Sequence, residues 1–155
     1  MRYNTSIVLS INMRIFNKKA RFNYEIEAGS RIEAGLSLSG GEAKSVREKH
    51  ADISDSQIRI LSGEAYLINA NIPVLGAKLD PTRSRKLLLH KNELISIATK
   101  VKQRKLTILP ISLYNKHRLI KLELALGKPK KKFEKREQIK RRDIDRELKI
   151  ENYKL

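Results

Sequence analysis

Ile120, Leu122, Leu124 and Leu126 recur at every second position, with Lys121 and Glu123 between them. A period of two turns one face of an extended chain toward a core and the other toward solvent, so Leu119 to Leu126 reads as a half-buried strand. Leu106 to Tyr114 is a second strand, and Asn115 to Arg118 is the turn that joins the two as a hairpin. Pro110 falls inside the first of these strands. It lacks an N–H, so it marks an edge or a bulge. A chain built on this hairpin must supply further strands and helices to cover its apolar face.

The rest of the chain supplies them. Phe22, Tyr24 and Ile26 alternate with polar residues after the basic turn 17–21, and Ile32 to Leu38 is another strand candidate. Gly40-Gly41 breaks it, and Glu42 to Lys49 reads as a short helix. Ile58 and Ile60 lead to Ser62-Gly63, a hairpin turn signal. Beyond it, Ala65 to Ile72 is apolar on both faces and is expected to be central. Residues 73–81 form a loop. Leu94, Ile97, Ala98 and Val101 make one apolar stripe on a helix over Lys91 to Arg104, with Asn92 as a candidate N-cap. Met13 is an alternative start, so residues 1–14 are read as an N-terminal extension holding one strand candidate, Ile7-Val8-Leu9. The whole is predicted to be mainly β with helices: a small antiparallel barrel of the oligonucleotide-binding type over 15–126, with about three flanking helices.

At Gly127 the composition changes. Residues 127–155 hold twelve Lys/Arg against six Asp/Glu, and apolar residues thin out. Such a segment buries too little to offset its ordering entropy. The expectation is a basic tail that is disordered when free and becomes a helix on a partner.

Charge narrows the function. The chain carries 34 Lys+Arg and 17 Asp+Glu, a net +17 in 155 residues. An excess of that size implies a polyanionic partner, because each neutralised phosphate releases a counterion. Cysteine is absent, which excludes disulfides, thiolate catalysis and Cys-based zinc sites. No apolar run approaches the ~20 residues of a membrane span. A cytoplasmic protein, not a membrane protein, is expected. His50, His90 and His117 have no metal spacing, and no P-loop, Gly-x-Ser-x-Gly or Gly-x-Gly-x-x-Gly is present. The reading is a protein that is no enzyme, needs no cofactor or metal, and acts as a monomer.

Asp80-Pro81-Thr82-Arg83-Ser84-Arg85-Lys86-Leu87-Leu88-Leu89-His90 concentrates the chemistry. A proline fixes the loop, Arg83, Arg85 and Lys86 follow at close spacing, and three leucines run straight into a helix. Guanidinium groups match phosphate with a planar fork. The stretch reads as a basic clamp at the edge of a core, with His90 capping the helix, stacking on a base or facing water. Glu33 is a candidate to accept hydrogen bonds from base amino groups; an ion pair with Arg21 or Lys44 is the simpler account. Lys130, Lys131, Lys132, Lys135 and Arg136 form an electrostatic arm, and Phe133 among them offers a stacking ring.

These motifs together resemble the SsrA-binding protein family, from about Ile15 to the C-terminus. Asn17-Lys18-Lys19-Ala20-Arg21-Phe22 with Tyr24 resembles its opening. Glu33-Ala34-Gly35-x-x-Leu38-x-Gly40-x-Glu42-x-Lys44-Ser45 resembles its first signature. The Asp80–His90 stretch is the most specific, and Lys135-Arg136-Glu137 marks the tail. The resemblance implies binding to the tRNA-like domain of transfer-messenger RNA, replacement of its missing anticodon arm, and delivery to stalled ribosomes for trans-translation. It implies an RNA-binding surface that includes Glu33, Leu88 and His90, with Asn17, Lys18, Arg21, Lys44, Arg83, Arg85 and Lys86 completing the candidate set. It also implies that Lys130–Lys132, Phe133, Lys135 and Arg136 enter the small-subunit decoding region and the empty mRNA channel. A generic barrel-type rRNA-binding translation factor or ribosomal protein is the alternative.

Overall fold

The strand that carries the 120–126 alternation is the one on which the sheet is assembled. In the computed structural model, which describes residues 13–153, it is the longest strand, β8 (Leu119–Pro129). It pairs antiparallel with β7 (Thr107–Lys116) on one side and with β3 (Ile32–Leu36) and β2 (Tyr24–Ile26) on the other. β1 (Arg14–Phe16) adds to β7. β6 (Arg85–Leu88) adds to β3, and the hairpin of β4 (Gln57–Leu61) and β5 (Glu64–Ile68) adds to β6 through β5. The strand candidate Ile7-Val8-Leu9 lies outside the described residues.

Four helices accompany these eight strands among the described residues: α1 (Lys18–Asn23), α2 (Gly40–Arg47), α3 (Lys91–Arg104) and α4 (Lys132–Tyr153). Leu67, Leu87, Ile97, Leu113, Leu122, Leu124 and Leu126 are buried in the main core. α3 adds Ile97 with Leu94 and Val101 beside it, as its stripe predicts, while Ala98 is exposed. Its N-cap is His90, not Asn92, and the Glu93 carboxylate accepts from the His90 backbone N–H at 3.2 Å.

Three expectations change. Among the described residues the barrel is not closed: the sheet runs β1-β7-β8-β3-β6-β5-β4, and no ladder joins β4 to β7 or β1. Asn17 links the two sides. Its buried Nδ2 donates to the carbonyls of Ile53, in the segment before β4, at 3.1 Å and of Pro110 on β7 at 2.9 Å, so a side chain bridges the gap. Pro110 has no N–H to offer there, and the β7 register slips between Pro110 and Ser112 as a bulge.

The segment 17–21 is not a turn. The Asn17 side chain accepts from the Ala20 N–H and starts a six-residue helix, so the strand read from Phe22 begins only at Tyr24. The run Lys86-Leu87-Leu88 does not enter a helix either. It is strand β6, with Arg85 and Leu87 buried and Lys86 and Leu88 exposed.

The tail starts from the sheet. β8 continues through Gly127 to Pro129 because Gly127 lets β2 approach: a Cβ there would meet the Glu25 carbonyl oxygen at 2.7 Å. Residues 132–153 are then one continuous helix. Strong helix formers with no Gly or Pro after Pro129, and i,i+4 pairs such as Glu137–Arg141 and Asp145–Lys149, favour it. Its apolar side chains stay open to solvent: Ile139, Ile144, Leu148 and Ile150 are all exposed.

Candidate nucleic-acid interface

The register across four ladders aligns Arg14, Tyr114, Lys121, Gly35 and Leu88 in one row. This row lies on the face of the sheet opposite Leu122 and Leu124, because neighbours in a strand point to opposite sides. Gly35 keeps it low in the middle: a Cβ there would lie 3.1 Å from the Leu88 Cβ. Leu88 is 57% exposed beside it. Lys86, two residues back on β6, pairs in register with Tyr66. Its ammonium donates to Glu64 at 2.8 Å, and that hydrogen bond raises its pKa.

Glu33 belongs to the same face, two residues from Gly35. It lies directly across from Glu123, and like charges in that position are unfavourable unless compensated. Both are compensated. Arg14 lies 3.5 Å from Glu123 and Arg31 donates to it. The Tyr114 hydroxyl donates to Glu33, and the Lys116 ammonium lies 3.3 Å from both of its oxygens. The Tyr114 hydrogen bond is the main cause that holds the Glu33 carboxyl below its ordinary value; burial first, then Glu33, pushes the Tyr114 hydroxyl up. Glu33 is therefore a fixed, ionised acceptor at the rim of an open cleft of about 510 Å³. Its partners are neither Arg21 nor Lys44. Arg14 also stacks over the Tyr114 ring at 4.4 Å.

The candidate residues divide by location. Glu33, Lys86 and Leu88 share the open face, and His90 follows at the edge, where it lines a cleft of about 490 Å³ with Lys86, Leu88 and Leu94. Lys18 is exposed on α1, and Arg21 lies over the Phe16 ring at 5.1 Å. Lys44 stands apart, exposed on α2 beside the 73–75 loop. In the tail, the Lys130 ammonium donates to the Arg21 carbonyl at 3.3 Å. Lys131, Lys132 and Arg136 are exposed, Lys135 is half-buried, and Phe133 is 71% exposed.

Two candidates are corrected. Asn17 is buried and spends its side chain on the α1 cap and on bridging the gap. Arg85 is 1% exposed and reaches no surface. Its guanidinium donates to Glu42 and to the carbonyls of Ala70, Arg83 and Pro81. Arg83 also serves Glu42, its Nε donating at 3.0 Å, from a partly exposed position. Glu42 in turn closes the capping box of α2 with Ser39. Burial pushes the Glu42 carboxyl up, but the hydrogen bonds from Arg83, Arg85 and the Ser39 backbone outweigh it and hold it below its ordinary value. This part of the clamp joins α2 to β6 inside the protein. What sequence reasoning missed is Arg14, Tyr114, Lys116 and Lys121. The alternation of Lys121 and Glu123 with buried leucines was their signal, since it marks a charged outer face.

A predominantly antiparallel sheet with one charged and partly apolar open face, a net charge of +17 and a basic helical arm define a protein of the nucleic-acid-binding class. Comparisons narrow this. The SmpB protein family model matches residues 14–153. The SsrA-binding protein of Mesoplasma florum is 50% identical over 137 residues, covering 84% of this chain and 89% of the relative. That of Malacoplasma penetrans is 44% identical over 137 residues, covering 86% and 92%. A solved chain described as "tmRNA-SmpB: a journey to the center of the bacterial ribosome" is similar at 40% identity and a TM-score of 0.64, covering 77% of this chain and 86% of that one. The chain belongs to the SmpB family of SsrA-binding proteins.

Proposed function

We propose that this protein binds transfer-messenger RNA through its tRNA-like domain and delivers it to stalled ribosomes for trans-translation. The observation that carries the reading is the family match over 14–153, which takes in the open sheet face and the tail helix alike. The solved relative, whose description names tmRNA, SmpB and the ribosome, supports both halves.

The work divides between two parts. The body, 15–126 with the three residues that extend β8, is the RNA-binding unit. On its open face Glu33, already ionised and oriented, accepts from base amino groups. Leu88 and His90 give apolar and stacking contact, and Lys18, Arg21, Lys86 and the exposed side of Arg83 neutralise phosphates. Lys44 extends the basic surface on α2. The tail from Lys130 onward is the ribosomal unit. Its cations and Phe133 engage ribosomal RNA in the decoding region and the mRNA channel, and the body stands in for the anticodon arm that the RNA lacks. The body keeps the oligonucleotide-binding character expected of a small antiparallel barrel, although its sheet is open and the Asn17 side chain bridges the gap. The mechanism is shape and charge complementarity without a catalytic step.

Binding to transfer-messenger RNA is expected to be tight and much stronger than to an unrelated duplex of equal length. It should weaken by on the order of 10³-fold between about 50 and about 200 mM salt. Titration of labelled RNAs at several salt concentrations measures both. Equal affinity for the two RNAs would overturn the reading.

A further inference from the structure

The two hairpins of the sheet are closed by two-residue turns, and they are built from opposite kinds of residue. Between β4 and β5 the turn is Ser62-Gly63, with φ of 52° and 76°. Between β7 and β8, Lys116 pairs with Leu119, and the turn is His117-Arg118. These residues have φ of 50° and 66°. A two-residue turn with both φ positive favours Asn-Gly or Gly-Gly, because a side chain in the left-handed region crowds the following carbonyl. Two bulky residues there are strained, and such strain persists only where the surroundings impose it. Here they do. Arg47 of α2 reaches across and donates from Nη2 to the Arg118 carbonyl at 2.8 Å.

The tip this holds in place is all basic and apolar. Lys116, His117, Arg118 and Leu119 are all exposed, Leu119 to 60%, and no carboxylate occurs from 115 to 121. Lys116 ties the tip to Glu33, so it continues the open face described above. A guanidinium, an imidazole and an exposed leucine on a rigid turn match the phosphates and unstacked bases of a folded RNA.

We propose that the His117–Arg118 tip is a preset RNA-contacting finger, and that the strain of its turn is kept because Asn-Gly would fold better but touch nothing. The inference rests on the transfer-messenger RNA reading and adds a contact outside the motif residues of that reading. Arg118 reaches a phosphate, and His117 and Leu119 lie against the adjoining sugar and base.

The test is the double variant His117→Asn with Arg118→Gly in the full chain. It gives the turn its unstrained residues and removes both side chains. The melting temperature is expected to rise, while affinity for transfer-messenger RNA falls at least fivefold and the salt slope drops by about one. A variant that binds like the parent overturns the inference, whatever its melting temperature. A variant that melts lower and binds less assigns the pair to folding, which overturns it too. A parent with no preference for transfer-messenger RNA over duplex overturns the functional reading along with this one; a parent with that preference and an equal variant overturns this one alone.

Discussion

Removal of residues 131–155 is expected to leave transfer-messenger RNA binding within a few fold of the full chain and to abolish tagging on stalled ribosomes. The cut is set by the fold. Lys128 and Pro129 pair with Glu25 and Tyr24, and the Lys130 N–H donates to the Asn23 carbonyl at 2.9 Å. Ending the chain at Gly127, where the composition changes, would strip a ladder from β2 and confuse a folding defect with a functional one. Ending it at Lys130 removes ten Lys/Arg and six Asp/Glu; +17 less +4 leaves the body +13, with its whole open face. The tail helix touches the body lightly, through Arg142 over the Phe22 ring at 5.2 Å and a polar cleft beside Glu25. Its loss should cost the body little stability. RNA binding by titration and peptide tagging on ribosomes halted at the end of a message separate the two functions. A drop in RNA affinity beyond about tenfold, about 1.4 kcal/mol, would make the tail the main RNA anchor and overturn the division.

What could be read ahead of the structure follows from how far apart the determinants lie. The two hairpins were legible because alternation and turn residues are local, and the bulge at Pro110 because a missing N–H is a property of one residue. The α3 stripe was legible for the same reason. α1 was not: its six residues carry no stripe, and its start depends on the buried Asn17, whose bonds to Ile53 and Pro110 span the chain. The row from Arg14 to Leu88 is a product of register, which no single segment contains. Arg85 shows the limit most clearly. Three cations after a proline look like one surface cluster, yet alternation along Arg85-Lys86-Leu87-Leu88 already puts Arg85 on the side of Leu87. The acceptor that makes such a burial tolerable is Glu42, on a different element.

Glu42→Ala is expected to be among the most destabilising single changes in the body, by about 3–5 kcal/mol, because it leaves the buried Arg85 charge uncompensated. For a protein of this length that corresponds to a melting temperature lower by about 10 °C or more. The change also removes the α2 capping box, so the helix that carries Lys44 and Arg47 should loosen first. Glu42→Gln keeps the shape and one acceptor oxygen and should cost less. The two forms also differ in acid. The Glu42 carboxyl is held below the ordinary glutamate value of 4.5 in the folded protein, so its stabilisation is complete above that pH and fades as the pH falls through the lower folded value. The gap between parent and Glu42→Gln should therefore be widest near neutrality and narrow below pH 4.5, as chemical denaturation at a series of pH values would measure. A constant gap would mean that the carboxylate charge does not hold the two arginines. Arg85→Ala tests the other partner of the pair. As a phosphate contact its loss would lower RNA affinity and spare stability. Buried against Glu42 and three carbonyls, it should lower the melting temperature sharply. At temperatures where the variant stays folded, its salt slope for RNA binding should equal that of the parent, and a reduced slope would return Arg85 to the RNA surface.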